Sequence, residues 1–100
     1  MNDAMKPSEA LHAYRDDIRR FVGQNRTCNP RVFGSVLRGE DANDSDLDLL
    51  VDPLPGATLF NLGALQVELE QVLGVPVDLL TPGDISPRFR EQVLREAVPV

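Results

Sequence analysis

The sequence predicts an α/β domain in which a small sheet is packed by helices. Three observations predict it. Apolar residues recur at helical spacing in three stretches, short runs with strand-like alternation lie between them, and Gly or Pro stands at most junctions. The predicted order is α-β-α-β-α-β-α, with the second helix short. One hundred residues are enough for one core and not for two, so residues 1–100 read as a single domain.

Residues 1–7 read as a flexible, frayed tail. Ser8 is the candidate N-cap of the first helix, whose stripe is Leu11, Tyr14, Ile18, Phe21 and Val22. Gly23 and the polar stretch through Pro30 end it. His12 lies off the stripe and reads as a solvated residue, Tyr14 fits the core, and Cys28 falls in the connecting loop. Arg31-Val32-Phe33 is the first strand and Asp46 to Val51 the second, closed by Pro53-Leu54-Pro55-Gly56. Thr58 then caps a helix with the apolar face Leu62, Leu65, Leu69, Val72 and Leu73, stopped by Gly74 and Pro76. Val75 to Leu80 is the third strand. Ser86-Pro87 opens a last helix with Phe89, Val93, Leu94 and Ala97 facing inward.

The chemistry concentrates between Val32 and Asp52. Successive strand side chains point to opposite faces, so Asp46 and Asp48 project to one side while Leu47, Leu49 and Val51 anchor the other. Two carboxylates held that close favour a cation between them or a proton on one of them. Gly34 allows a tight turn and close approach to the main chain, and Ser35 offers a hydroxyl and an N–H where a short helix begins. A phosphate-cradling turn beside an Asp-x-Asp strand points to a nucleoside triphosphate with bound Mg²⁺. Asp78 sits between Val77 and Leu79 in the third strand and is the third carboxylate of such a site; its alternative is an edge residue facing water, as Pro76 hints. Arg38 reads either as a phosphate neutraliser or as a salt-bridge partner of Glu40, Asp41 or Asp44. Asp41 and Asp44 read as turn formers and Asp52 as a strand-end residue, all three outside the catalytic set.

Gly34-Ser35, ten residues, then Asp46-x-Asp48 resembles the signature of the DNA polymerase β-like nucleotidyltransferase superfamily. Arg38-Gly39 and Ser45-Asp46 resemble its minimal nucleotidyltransferase branch, which includes MntA-type antitoxins paired with HEPN-domain (HepT-like) toxins. The resemblance covers nearly the whole chain and implies a mixed sheet. It also implies roles: Asp46 and Asp48 bridging two Mg²⁺ ions, Asp78 holding the metal nearer the acceptor, and Gly34 and Ser35 gripping phosphates, with Arg38 helping. The implied reaction is transfer of AMP from ATP to a tyrosine of a HEPN RNase toxin. Two other classes stay open: an antitoxin that acts by binding alone, and a nucleotidyltransferase for a small molecule, such as an aminoglycoside, or for an RNA end.

Composition narrows the field. A net charge of −6 argues against charge-driven nucleic-acid binding. No apolar run reaches the ~18 residues of a membrane span, and Met1 to Pro7 does not resemble a signal peptide. A single cysteine excludes an internal disulfide and a cysteine zinc cluster. The expected setting is the cytoplasm.

Overall fold

The computed structural model describes residues 5–100. Its elements in chain order are α1 (Pro7–Ala13), α2 (Arg15–Gln24), β1 (Thr27–Phe33), β2 (Leu47–Pro53), α3 (Leu59–Leu73), β3 (Val77–Leu80), a 3₁₀ turn (Pro82–Asp84), α4 (Pro87–Glu96) and β4 (Val98–Pro99). The strands form one sheet in the order β3-β2-β1-β4. β1 runs antiparallel to both β2 and β4, whereas β2 and β3 run parallel. This is the small mixed sheet with helices that the sequence led us to expect.

One sheet face is the core. Val32, Leu47, Leu49, Val51 and Val77 form a buried cluster with Ile18 and Val22 of α2 and Leu65, Leu69 and Leu73 of α3. The alternation of β2 makes this possible, because Leu47, Leu49 and Val51 all reach the helical layer. α3 starts at a capping box in which Thr58 and Asn61 satisfy each other's backbone N–H groups. It ends at Gly74, left-handed at φ +70°, whose N–H bonds the Glu70 carbonyl. α3 thereby supplies the crossover that lets β3 lie parallel beside β2.

Several local expectations are corrected. Part of the expected tail, residues 1–4, lies outside the described residues, but Pro7 already opens α1 and is buried. Lys6, not Ser8, holds the N-cap position. The expected single first helix is broken at Tyr14 (φ −116°). Tyr14 N still bonds Ala10 O, and Ile18 N bonds Tyr14 O, so the apolar stripe runs through the break and spacing does not reveal it. No regular helix forms between β1 and β2. There the bonds Arg38 N to Gly34 O, Gly39 N to Val36 O and Glu40 N to Ser35 O span four, three and five residues, a coiled loop without a repeating ladder.

Cys28 lies in β1 rather than in a loop. The strand passes Pro30 through a bulge between Cys28 and Arg31, with Asn29 at φ +56°. β4 was not foreseen, since a two-residue strand has no periodicity to read. Its C-terminal neighbour Val100 is buried, donates its N–H to Pro30 O and accepts from Arg19 Nε. α4 buries no residue: Phe89 is 53% and Leu94 38% exposed. No helix among the described residues is long and apolar enough to cross a membrane.

Leu49 is wholly buried at the centre of the core. Leu49→Ala is expected to cost about 3 kcal/mol in urea unfolding. A loss below about 1 kcal/mol would show that β2 is not what anchors the sheet.

Candidate active site

The site is assembled from the ends of three strands. Core packing of Leu47 and Leu49 turns Asp48 to the opposite face of β2, half-buried. Asp46 stands one residue before the strand and is exposed. Parallel pairing sets Asp78 of β3 in register with Asp48, and antiparallel pairing sets Phe33 of β1 opposite Asp48 on its other side. Asp78 is exposed on the sheet's edge strand. The edge placement that Pro76 hinted at and the convergence with Asp48 are therefore both true.

Gly34 follows Phe33 and lies against Asp48. Its φ is +76°, and a β-carbon there would overlap the Asp48 carboxylate, standing 2.9 Å from Cγ and closer still to Oδ2. Only glycine meets both demands. Ser35 is partly buried next to it, and its carbonyl accepts the Glu40 N–H at 2.9 Å, which closes the loop on itself.

The carboxylates repel one another. Burial raises the Asp48 carboxyl, Asp78 and Asp46 raise it further, and it reaches about 6 although Arg38 pulls the other way. Arg38 is exposed and pairs with Glu40 at 2.8 Å, as its salt-bridge reading foresaw. The pair is solvent-exposed, so it holds the guanidinium weakly.

The donor set suits a hard cation, because carboxylate oxygens are what Mg²⁺ takes. Among the described residues no three His, Cys, Asp or Glu side chains are gathered tightly enough to hold an ion alone.

The remaining acids have other duties. Asp41 Oδ2 accepts the Ser8 N–H of α1 at 2.9 Å, and that bond holds its carboxyl below the usual range. Asp41 thus ties the loop before β2 to a helix start, which its turn-like sequence context did not reveal. Asp52 is paired across strands with Arg31 at 2.7 Å and takes the Asn29 amide at 3.0 Å. Burial pushes its carboxyl up, but these partners win and hold it low. Asp44 is exposed in the turn.

Asp48 and Asp78 thus stand in register on adjacent strands, beside the Gly34-Ser35 loop, on a mixed sheet. Residues 16–100 match the family model of the nucleotidyltransferase domain. The chain belongs to that family and is a nucleotidyltransferase. It is 37% identical over 88 residues to the protein adenylyltransferase MntA of Thermococcus cleftensis, covering 88% of this chain and 86% of that one. It is 45% identical over 69 residues to a Methanocaldococcus jannaschii protein provisionally named a protein adenylyltransferase, covering 69% of this chain and 74% of that one. A solved structure, provisionally a minimal nucleotidyltransferase, superposes with TM-score 0.87 at 44% identity over 99% of this chain and 100% of that one. A toxin-antitoxin crystal structure with AMP-PNP shares the fold at 22% identity, with TM-score 0.70 over 84% of this chain and 69% of that one.

Gly34→Ala is expected to displace the Asp48 carboxylate and cost about 1–3 kcal/mol by urea unfolding; an unchanged midpoint would refute the crowding. Asp48→Asn has the opposite sign. An Asp whose folded value (about 6) lies above its unfolded one (3.8) destabilises the fold once ionised, fully above pH 6 and not below pH 4. After solvent screening about 1 kcal/mol remains, so in EDTA at neutral pH Asp48→Asn should raise Tm by about 4–8 °C. Near pH 4 the gain should vanish. Added Mg²⁺ should stabilise the wild type more than the variant; equal Tm values at every pH would remove the electrostatic account.

Proposed function

We propose that this single-domain chain is a Mg²⁺-dependent protein adenylyltransferase acting as an antitoxin. It moves AMP from ATP to a tyrosine hydroxyl of a HEPN-domain RNase toxin, in the cytoplasm where ATP is available. The observation that carries the reading is the register of Asp48 and Asp78 on β2 and β3, with Asp46 one residue ahead of β2 and Gly34 leaving room beside them. Relatives that carry the name protein adenylyltransferase support protein as the acceptor. The toxin-antitoxin structure with AMP-PNP that shares the fold supports the partner class and the nucleotide.

In this reading the Gly34-Ser35 loop receives the β- and γ-phosphates through backbone N–H groups and the Ser35 hydroxyl. Arg38 leaves Glu40 for the triphosphate. Asp46, Asp48 and Asp78 would hold Mg²⁺, which supplies charge neutralisation to the attacking and leaving oxygens. Asp78, exposed at the sheet edge, takes the proton of the acceptor hydroxyl as its oxygen bonds the α-phosphorus. The bond from the α-phosphorus to the bridging oxygen breaks and pyrophosphate leaves. The acceptor gains one AMP for each ATP consumed. AMP on a tyrosine near an RNase site adds bulk and negative charge where RNA phosphate must bind, which accounts for neutralisation.

The test is intact mass after incubating the chain with ATP, Mg²⁺ and its HEPN partner. The partner is expected to gain one or more AMP masses. Asp46→Asn with Asp48→Asn should reduce the rate by at least about 10³-fold. Neutralisation by that double variant without any mass gain would replace this reading with an antitoxin that acts by binding.

A further inference from the structure

The two helical crossovers of the sheet travel in opposite directions. α3 leads from β2 outward to β3, and α4 leads from β3 back past β2 and β1 to β4. β2, β3 and β4 all run the same way, because β1 is antiparallel to both β2 and β4. Crossovers between parallel strands of one sheet are right-handed. Two of the same hand that travel in opposite directions lie on opposite faces. α3 packs on the core face, so α4 lies across the carboxylate face.

Burial agrees. Leu50 projects to the carboxylate face with Asp48 and is 0% exposed, and Ile85, which leads into α4, is buried too. Both stand outside the main core cluster, so something on the carboxylate side covers them. Along α4 the half-buried residues are Arg90, Val93 and Ala97, a stripe at helical spacing turned to the sheet. Arg90 Nη2 ties the start of the helix to Ile85 O at 3.0 Å.

The far end of α4 is fixed by β4. Val98 pairs with Val32, so Glu96, two residues earlier, is brought to the point where β1 runs out into Gly34. Arg38 belongs to the same place, since its N–H donates to Gly34 O at 3.2 Å. Its guanidinium stands among carboxylates from three parts of the chain. Glu40 accepts from Nε at 2.8 Å and does most to raise the guanidinium above its ordinary value, and Asp48 and Glu96 add to it. Glu96 is steadied by Gln92, whose amide donates to Oε2 at 3.3 Å. Asp48 has its place beside Asp78 and Gly34, but the exposed Glu40 and Glu96 bury nothing. Among the described residues Glu40 pairs with no cation other than Arg38, and Glu96 is in no ion pair. Two extra negative charges beside a phosphate-binding loop repel the ligand, so the fold alone gives no reason for them.

On the transferase reading, on which it rests and in which Arg38 goes to the phosphates, we propose a role for both acids. Glu96 of α4, together with Glu40, is a positioning residue that acts through Arg38. The two carboxylates hold the guanidinium at the rim of the site, and an incoming triphosphate must compete with them for it. α4 thereby couples its own seat on the sheet to nucleotide affinity.

Calorimetric titration of the full chain with ATP and Mg²⁺, at about 20 and 500 mM salt, tests the coupling. At low salt Glu96→Gln should tighten ATP binding about 3-fold, and Glu40→Gln at least as much. Both gains should shrink at high salt, where exposed charges are screened. In an Arg38→Met background both should disappear, whereas a carboxylate that repels the triphosphate directly would still do so there. Glu91→Gln removes the same charge about 140° around the helix from Glu96 and should change nothing. A gain that survives the loss of Arg38, or an equal gain from Glu91→Gln, overturns the proposal in favour of net charge. Unchanged affinity in Glu96→Gln, with the wild type binding ATP, overturns it and leaves the transferase reading standing. A wild type that binds no ATP removes both.

Discussion

The Asp48 carboxylate fills the space that a β-carbon on residue 34 would need, and the architecture follows from keeping it there. Leu47 and Leu49 on either side are fully buried, so Asp48 has no freedom to rotate away from the carboxylate face. The parallel register with β3 then sets Asp78 next to it, and ionisation of the group becomes costly. A pair of acids that the fold forces together is a standing demand for positive charge.

Holding such a pair requires rigid surroundings. α3 supplies the crossover that makes β2 and β3 parallel, and it reaches further through Glu70, whose Oε2 accepts the Val77 N–H at 2.9 Å. At the other end of β3, Asp84 accepts the Thr81 N–H at 2.9 Å. Both bonds occupy backbone donors at or beside an edge strand, which blunts the edge against pairing with another sheet. The loop between β1 and β2 is fixed by its own Glu40 N–H to Ser35 O bond and by Asp41 at the start of α1. By contrast Arg38 is held only by an exposed ion pair with Glu40.

Much of this was legible because it is periodic or local. The alternation of Asp48 with Leu47 and Leu49 announces a strand with one acidic face, and the spacing of Leu65, Leu69 and Leu73 announces a helix. Thr58 and Gly74 mark its ends by local chemistry. What failed to show is long-range or non-repeating. Asp41 looked like a turn residue because its partner, Ser8, lies 33 positions earlier. The break at Tyr14 leaves the apolar stripe unbroken. α4 has the apolar spacing of an inward-facing helix, yet Phe89 and Leu94 stand open, since a stripe shows which side is apolar and not whether anything covers it. Leu50, on the carboxylate face of β2, is fully buried all the same.

The sequence by itself determined the element types, the core face of the sheet and the acids that lie on the other face, because these depend on side-chain period and on turn chemistry within a few residues. Only the tertiary structure decided that Asp78 stands in register with Asp48, that Gly34 is the residue whose missing β-carbon makes room, and that Asp52 is neutralised by Arg31. Those facts depend on which strands pair and in what register. Register is set by the packing of the whole core, a sum over distant contacts that no local window of the chain contains.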